Sequence, residues 1–519
     1  MADALAPLHL EALSDPAAYS HPVQQISMIE THISWVFLTG DFAYKLKKPV
    51  AFDFVDFSTL ERRLHFCHEE VRCNQQFAPE LYLGVVPITH NQSKDCYQVG
   101  GEGDIVDYAV RMVQFDTDQQ LDLLVEKDQV SNEEFYQFGR TLADQHNALP
   151  TVAALNRNII LEHQIDEPVL ANFSSVRNTQ VVPTYRSRLH DLEQQTRKAT
   201  ADHRTLFMHR LQHNHTRECH GDLHLSNLVR TSQGIRAFDC LEFNEDLRWI
   251  DTMCDVAFLL MDCGSRDRLN LGYAFVDGYL DTAADYSGAR LLPYYAAYRA
   301  MVRVKVSALR LAQNPGAQTE ALTQRIEAHL FGAETWLNKP TGKLIVMCGV
   351  SGSGKSYLAE RLVPLLPAIR LRSDVLRKHL AGLAADAQSG SDLNQGLYAV
   401  DRSAAVYQRL GDLAADLLDA GENVIIDATC LERPTRERFA AIANERGTKA
   451  MLVFCTAQQS ILEDRVNQRQ AAGTDPSEAD VRVLRAQLEH FEQPLPSEGT
   501  VIVNTGITLD PATIAAKLC

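Results

Sequence analysis

The sequence predicts a protein of mixed α/β and α+β class, in which an α+β half precedes an α/β half with a parallel sheet flanked by helices. At 519 residues the chain is too long for one hydrophobic core. After residue 342, short apolar stretches alternate with helical patterns, as in parallel sheets, at residues 343–348, 369–374, 423–427, 449–454 and 500–503. Before residue 342, several strand patterns precede a long series of helical patterns.

In the first half, residues 33–38 and 42–48 predict a β-hairpin around the turn Thr39-Gly40-Asp41. Residues 58–77 predict a helix that Thr59 caps. Two further strands are predicted at 81–86 and 108–113, and later helices at 132–147, 184–212, 251–260, 269–280 and 291–311. A linker at 338–342 divides the chain into predicted domains at 1–338 and 342–519.

Charge and cysteine content limit the classes of protein. With 50 Lys and Arg against 67 Asp and Glu, the net charge of −17 argues against non-specific nucleic-acid binding, which depends on phosphate neutralisation. The eleven cysteines are scattered, without a C-x-x-C pattern, which predicts reduced thiols in a reducing compartment. The N-terminus lacks a signal-peptide pattern and no apolar run reaches membrane-spanning length, so we expect a cytoplasmic protein without a membrane span. The oligomeric state stays open.

The segment GVSGSGKS at 349–356 fits the phosphate-binding pattern G-x-x-x-x-G-K-[ST], the P-loop or Walker A motif. A predicted strand precedes it and an amphipathic helix pattern follows, which is the context that the motif needs. Lys355 is expected to reach the β- and γ-phosphates of ATP, and Ser356 to hold Mg²⁺. The small residues that let backbone N–H groups surround the phosphates are Gly349, Gly352, Ser353 and Gly354.

A second motif lies at 219–228, with the sequence CHGDLHLSNL, and Asp239 follows it. Asp222 can accept the proton of a substrate hydroxyl, as a catalytic base does. Asn227 can face one Mg²⁺, while Asp239 holds metal that bridges the β- and γ-phosphates. The alternative is a turn that carries polar residues by chance.

At this motif the sequence resembles the aminoglycoside phosphotransferase and choline kinase group, which has the bilobal protein-kinase fold. The resemblance covers about residues 25–335 and implies an N-lobe at about 25–115 and a C-lobe at about 120–335. It also implies an ATP lysine with a helix glutamate, for which we choose Lys45 and Glu70, with Lys47 and Glu69 as close alternatives. Met112 is expected at the hinge against adenine. Because no G-x-G-x-x-G precedes the lysine strand, residues 38–41 are the candidate phosphate loop.

Residues 342–519 resemble the small P-loop kinases of the nucleoside-monophosphate, gluconate, polynucleotide 5′-hydroxyl and zeta-toxin types. The resemblance implies that Asp374, at the end of the second strand, orients or deprotonates the acceptor hydroxyl. It implies that Asp427 is the Walker-B-type acid near the metal or contacts substrate. Arg465 and Arg469 are expected to act on the transferring phosphate, with a lid at 471–480. Solvated helix charge is the alternative for these arginines and for Arg433, Arg436 and Arg438.

The whole chain resembles a bacterial group in which an aminoglycoside-phosphotransferase-family enzyme is fused to a predicted P-loop kinase of AAA, zeta-toxin or gluconate-kinase type. The resemblance implies a bifunctional ATP- and Mg²⁺-dependent kinase that phosphorylates a hydroxyl of an unidentified small molecule at each of two nucleotide sites. Two alternatives stay open. The C-terminal half could be a polynucleotide 5′-hydroxyl kinase, where nucleic acid would then bind, or the chain could be a regulatory ATP-binding protein with an N-terminal pseudokinase.

Overall fold

The computed structural model describes residues 10–52, 55–152, 165–179, 182–313, 319–383, 400–472, 477, 479–507 and 509–518. The chain divides into two compact units. The first comprises Met1–Val130, Ala148–Gln164 and Leu211–Asp255, and the second comprises Ser131–Asn147, Ile165–Arg210 and Val256–Cys519. The domain boundary at 338–342 stays a prediction. Among the described residues, no helix has the length and apolar character that crossing a bilayer requires.

Strands dominate the first unit. Its strands are β1 (Ser27–Glu30), β2 (Ser34–Leu38), β3 (Phe42–Lys47), β4 (Ala51–Phe52), β5 (Val55–Asp56), β6 (Tyr82–Asn91), β7 (Cys96–Val99), β8 (Asp104–Val113), β9 (Thr216–Glu218), β10 (Leu228–Thr231), β11 (Gly234–Ala237) and β12 (Trp249–Asp251). Its helices include α1 (Leu60–Asn74) and α2 (Leu121–Glu126).

A six-stranded antiparallel sheet of order β1-β2-β3-β8-β6-β7 forms the main layer of the first unit. The predicted hairpin is confirmed, because β2 pairs with β3 and Val36 lies opposite Lys45. The predicted helix is also confirmed, and α1 begins after Thr59, whose hydroxyl accepts a hydrogen bond from the N–H of Arg62. α1 packs on β6 and β8. The prediction missed β7, which pairs with β6 across a short turn.

Helices and a parallel sheet make up the second unit. Its strands are β13 (Leu344–Cys348), β14 (Ala368–Arg372), β15 (Asn423–Asp427), β16 (Ala450–Thr456) and β17 (Thr500–Asn504). The remaining α-helices of the described residues are α3 (Asn132–Ala148), α4 (Glu167–Arg177), α5 (Val182–Gln212), α6 (Thr252–Gly264), α7 (Leu269–Ala283), α8 (Leu292–Gln313), α9 (Thr319–Leu337), α10 (Lys355–Leu362), α11 (Ser373–Leu380), α12 (Val400–Asp419), α13 (Arg433–Glu445), α14 (Gln459–Ala472), α15 (Val481–His490) and α16 (Pro511–Leu518).

The five-stranded sheet confirms the predicted parallel architecture. Its order is β14-β15-β13-β16-β17, and every neighbouring pair is parallel. β13 is central and fully buried, as its run of apolar residues predicts. One boundary differs from the prediction: β14 ends at Arg372, and Asp374 lies in the first turn of α11 instead of at the strand end. The carboxyl ends of β13, β14 and β15 therefore meet at one edge of the sheet.

Candidate active sites

Lys45 on β3, Glu70 on α1 and Asp239 after β11 come together in the first unit. Lys45 Nζ lies 2.7 Å from Glu70 Oε1 and also donates a hydrogen bond to Asp239 Oδ1. The Glu70 side chain is fully buried, whereas 45% of the Asp239 side chain is exposed. Asp239 has a positive φ of 61°, a conformation that asparagine and aspartate tolerate better than most residues. The exposed carboxylate therefore ends a buried ion-pair chain and faces solvent.

Lys47 occupies a second position beside the same glutamate. Its Nζ lies 2.8 Å from Glu70 Oε2 and also donates to Oε1 of Glu242, and all three side chains are buried. The other alternative, Glu69, instead accepts a hydrogen bond from Arg72 Nη2 at 2.8 Å. Lys47 is thus enclosed, while Lys45 is the lysine that contacts the exposed Asp239. No local sequence signal pointed to Glu242 as a partner of Lys47.

The charges of this cluster stabilise one another. Burial raises the pKa of Glu70, but Lys45 and Lys47 outweigh burial and lower it to about 2. Burial lowers the pKa of Lys45, yet Asp239, Glu70 and Glu242 together hold it well above its usual value. At Glu242, burial outweighs the attraction of Lys47 and Lys45 and raises the pKa. At neutral pH, Lys45 and Glu70 are therefore charged and hold a fixed geometry.

Asp222 and Asn227 face each other across the loop between β9 and β10. Asn227 Nδ2 donates hydrogen bonds to Asp222 Oδ2 and to the Asp222 carbonyl oxygen, both at 3.0 Å. His224 Nε2 lies 3.3 Å from the same carboxylate oxygen. The N–H of Phe238 donates to the Asn227 carbonyl at 3.0 Å, which ties this loop to the residue before Asp239. Asp222 is one-third exposed, so it is accessible to a substrate.

Asp255 fixes the start of this loop through hydrogen bonds to its backbone. Its two carboxylate oxygens accept hydrogen bonds from the N–H groups of His220 and Gly221, at 2.7 and 2.9 Å. Gly221 has a φ of 82°, and a Cβ there would lie 2.8 Å from the carbonyl oxygen of Leu247, so glycine is required. The imidazole of His220 contacts the Phe238 carbonyl at 2.9 Å. Sequence reasoning missed Asp255, because its partners lie more than thirty positions away.

Met112 and residues 38–41 lie on the same sheet. Met112 on β8 is buried and pairs with Ala43 and Tyr82 in the strand register. The 38–41 segment is the tight turn between β2 and β3, in which the N–H and hydroxyl of Thr39 donate to the Phe42 carbonyl. The N–H of Gly40 donates to Gln114 Oε1 at 2.9 Å. The roles expected for them, Met112 at adenine and residues 38–41 at the phosphates, stay predictions.

The P-loop of the second unit has the backbone that its glycines predict. Gly349, Gly352 and Gly354 have φ values of 146°, 76° and 78°, all in the region that favours glycine. A Cβ on Gly349 would lie 2.5 Å from the Cys455 carbonyl oxygen, and one on Gly352 would lie 2.7 Å from the Leu462 carbonyl oxygen. The loop therefore packs closely between β16 and α14, and α10 begins directly after Gly354.

Ser356 and Asp427 are in direct contact. Ser356 Oγ donates to Asp427 Oδ1 at 2.9 Å, and Asp427 is the last residue of β15. Lys355 and Ser356 are the first two residues of α10. The predicted phosphate lysine, metal serine and acidic residue therefore lie at one edge of the sheet.

A cavity of about 700 Å³ opens at this edge. Its lining includes the predicted phosphate lysine, the predicted acceptor-side acid and the two predicted metal positions, namely Lys355, Asp374, Ser356 and Asp427. Further lining side chains were not assigned a role from the sequence, namely Arg372, Arg377, Tyr407, Thr429, Gln487 and His490. Arg438 also lines the cavity.

Of the predicted arginines, two bind backbone carbonyls and two pair with glutamates. Arg465 donates to the carbonyls of Gly352 and Thr505, and Arg469 donates to the carbonyl of Ala479, so both bind backbone and lie outside the cavity lining. Arg436 is buried against Glu498, and Arg433 pairs with Glu437 on the surface. Only part of the expected lid at 471–480 is described, because residues 473–476 and 478 lie outside the described residues.

Two family models match this chain. Residues 55–292 match the phosphotransferase enzyme family, and residues 344–494 match an AAA domain. The first match contains Glu70, Asp222, Asn227 and Asp239, and the second contains the P-loop, Asp374 and Asp427.

Relatives and solved structures align with most of this chain or with a part of it. An uncharacterized protein of Mycobacterium tuberculosis (strain H37Rv) and one of Mycobacterium bovis are each 28% identical over 91% of this chain and 93% of their own. A choline/ethanolamine kinase family protein from Mesorhizobium loti covers 65% of this chain and 93% of its own, with 14% identity and a TM-score of 0.37. A gluconokinase from Sinorhizobium meliloti covers 35% and 91%, with 23% identity and a TM-score of 0.25. With both family matches in one chain, this protein is a kinase that is similar to the phosphotransferase enzyme family over residues 55–292 and to an AAA domain over residues 344–494.

Proposed function

We propose that this kinase has two ATP- and Mg²⁺-dependent sites, and that each transfers the γ-phosphoryl group to a hydroxyl of a small molecule. One observation carries the proposal above all: each site combines a lysine with carboxylate and amide or hydroxyl oxygens that suit Mg²⁺. The first site has Lys45, Asp239 and Asn227, and the second has Lys355, Ser356 and Asp427. Phosphoryl transfer depends on such positioning and charge neutralisation.

At the first site, Lys45 would exchange one partner when nucleotide binds. Its contact with Glu70 fixes the ammonium group, while its contact with Asp239 neutralises a carboxylate that faces solvent. A bound phosphate would compete for Lys45 and leave the Asp239 oxygens to Mg²⁺, a hard cation that prefers oxygen ligands. Asp222, held by Asn227, would accept the hydroxyl proton of the acceptor.

At the second site, the P-loop fits a phosphate chain. Within the described part of the chain, the buried hydroxyl of Ser353 has no hydrogen-bond partner, although a buried polar group is normally satisfied. A phosphate oxygen in the loop would supply one. Lys355 would neutralise the phosphates, and Ser356 and Asp427 would hold Mg²⁺. Asp374, which lines the same cavity, would orient the acceptor hydroxyl.

Calorimetric titration of the full chain with a non-hydrolysable ATP analogue and Mg²⁺ tests the number of sites. We expect a stoichiometry near two, which falls to near one in Lys355→Ala. Lys449→Ala is the matched control, because Lys449 is an exposed lysine of the same domain and does not line the cavity. A stoichiometry of one in the unaltered chain would contradict the two-site proposal.

A library of hydroxyl-bearing metabolites with γ-labelled ATP tests the reaction class and finds the acceptors. Each hit is assigned to a site by repeating the assay with Lys355→Ala and with Asp222→Asn. A 5′-hydroxyl oligonucleotide belongs in the library, because its phosphorylation, lost in Lys355→Ala, would replace the small-molecule acceptor with a nucleic acid at the second site. ATP binding at the first site without any labelled product would favour a pseudokinase there.

A further inference from the structure

Two arginines on one edge strand of the parallel sheet bind two aspartates on a helix that precedes the sheet in the chain. Arg370 and Arg372 are two positions apart on β14, so they project from the same face of the strand. Asp277 and Asp281 are four positions apart on α7, so they lie on one helix face. Arg370 donates to Asp277 at 3.0 and 2.9 Å and to Asp281 at 2.9 Å, and Arg372 donates to Asp281 at 2.6 Å.

This ion-pair group is deeply buried. Side-chain exposure is 1% for Arg370, 3% for Asp277 and 5% for Asp281, and only Arg372 retains 13%. Tyr136 fixes Asp281 further, by donating a hydrogen bond to its Oδ2 at 2.5 Å. Burial alone would raise the pKa of Asp281, but Arg370 and Arg372 reverse this and hold it below its usual value. Asp281, Arg370 and Arg372 therefore keep full charges that water screens little, whereas burial raises the pKa of Asp277 to about 7.

The same two arginines lie beside the acidic residue of the P-loop site. Arg370 Nη1 is 3.8 Å and Arg372 Nε is 3.9 Å from Asp427 Oδ2. Arg372 also lies directly opposite Asp427 in the β14–β15 register and lines the cavity. Both distances exceed hydrogen-bond length, so each arginine attracts Asp427 without binding it. The other oxygen, Oδ1, accepts the hydrogen bond from Ser356.

We propose that Asp277 and Asp281 are positioning residues of the P-loop site, a role that rests on the two-site function proposed above. Their carboxylates bind the arginine donors that would otherwise close on Asp427. With both aspartates present, Asp427 keeps an oxygen for Mg²⁺. Without them, two buried cations lose their partners, and Asp427 is the nearest remaining carboxylate. A helix within the phosphotransferase family match thus sets the metal affinity of the AAA-type domain.

The test is the Mg²⁺ dependence of ATP-analogue binding at the P-loop site, measured in the full chain as the signal that Lys355→Ala removes. In Asp281→Asn we expect the half-saturating Mg²⁺ concentration to rise by about tenfold or more, as when partners of metal ligands are removed. Asp281→Asn with Arg372→Met should return it towards the unaltered value, because the competing cation is gone. A merely structural role for Asp281 would not produce this recovery.

Matched controls separate positioning from stability. Tyr273→Phe removes another buried hydrogen bond of α7, the 2.5 Å contact with Glu422, which does not involve Arg370 or Arg372. It should leave the Mg²⁺ dependence unchanged. Tyr136→Phe, a milder variant that stays informative if Asp281→Asn does not fold, should raise the half-saturating concentration slightly. An unchanged Mg²⁺ dependence in a folded Asp281 or Tyr136 variant overturns the inference. Failure of the unaltered chain to bind the analogue at this site overturns the proposed function itself.

Discussion

The hydroxyl of Ser356 donates to Oδ1 of Asp427 at 2.9 Å, although 71 positions separate the two residues. Ser356 is the second residue of α10, directly after the P-loop glycines, and Asp427 ends the strand β15. Two oxygen groups that suit Mg²⁺ are thus held together before any nucleotide arrives. Such preorganisation lowers the cost of assembling a metal site, and it makes the hydroxyl at position 356 the group to test.

Ser356→Ala should weaken Mg²⁺-dependent nucleotide binding at the P-loop site by at least about tenfold, because it removes the hydroxyl that we propose as a metal ligand. The melting temperature without nucleotide should fall by only a few degrees, since a single hydrogen bond contributes about 1 kcal/mol. Ser356→Thr keeps the hydroxyl and should bind as the unaltered chain does. Calorimetry at several Mg²⁺ concentrations measures this, and equal weakening by alanine and threonine would exclude a hydroxyl ligand.

Asp222→Asn should abolish transfer at the first site and spare ATP binding there. An amide of the same shape cannot accept the hydroxyl proton, and loss of a general base costs about 10²–10⁴ in rate. Asp239→Asn should instead weaken Mg²⁺-dependent ATP binding, because we assign Asp239 to the metal. If Asp222→Asn retains transfer within about threefold, under ~1 kcal/mol, the base is misassigned.

These assays of the first site need the full chain. They are made in a protein that also carries Lys355→Ala, so that the second site does not contribute. The second compact unit joins residues before 338 to the parallel sheet, for example through the Arg370–Asp277 pair. A fragment ending at 338 would leave Asp277, 3% exposed in the full chain, without its arginine. A buried charge without its partner is strongly destabilising, so such a fragment would confound loss of activity with loss of structure.

Glu70→Gln should destabilise the protein markedly, by about 3–5 kcal/mol, because Lys45 and Lys47 would lose the carboxylate they share in a buried site. Glu69→Gln is the matched control: its nearest partner, Arg72, is 45% exposed, and its second partner, the buried Arg248, keeps Glu218 at 3.1 Å. We expect a loss of about 0–1 kcal/mol there. Chemical denaturation of both variants measures the difference. Equal losses would show that Glu70 does not stabilise the two lysines.

Sequence periodicity predicted the elements of both sites but only part of their surroundings. The strand, glycine loop and helix at 344–362 follow from local signals, because backbone freedom and apolar runs are properties of neighbouring residues. Lys45 and Glu70 were paired through a family resemblance, and the two side chains do lie together. Which lysine binds nucleotide stays a prediction.

Long-range ion pairs could not be predicted in this way. Glu242 lies 195 positions from Lys47, and Asp277 lies 93 positions from Arg370. From the sequence alone, a charged residue in a strand or helix is predicted to be solvent-exposed unless its distant partner is known. The predicted end of β14 lies two residues after the observed end. Ser373 and Asp374 continue the polar end of the strand pattern in the sequence, but in the structure they begin α11.

We expect His329 on α9 to destabilise the folded protein at acidic pH. Burial and the nearby Arg303 lower the pKa of His329 to about 4. Between pH 6.5 and 4 the unfolded chain therefore binds a proton that the folded chain does not. The free energy of unfolding decreases as the pH falls through this window. His329→Gln should flatten that part of the profile by an amount on the order of 3 kcal/mol. Urea denaturation at pH 7 and pH 4.5 tests it, and an unchanged slope would contradict the shifted pKa.

Gly349→Ala should damage the P-loop through backbone geometry alone. The position has a φ of 146°, which alanine rarely adopts, and the added Cβ would lie 2.5 Å from the backbone oxygen of Cys455, where no flexible side chain can yield. We expect loss of nucleotide binding at the second site and a stability decrease of about 1–3 kcal/mol. Gly332→Ala is the control, since a Cβ there meets nothing within 4 Å and alanine favours the α9 helix by up to about 1 kcal/mol. Thermal denaturation and calorimetry of both variants decide the matter, because a P-loop that tolerates alanine at 349 cannot have the backbone described.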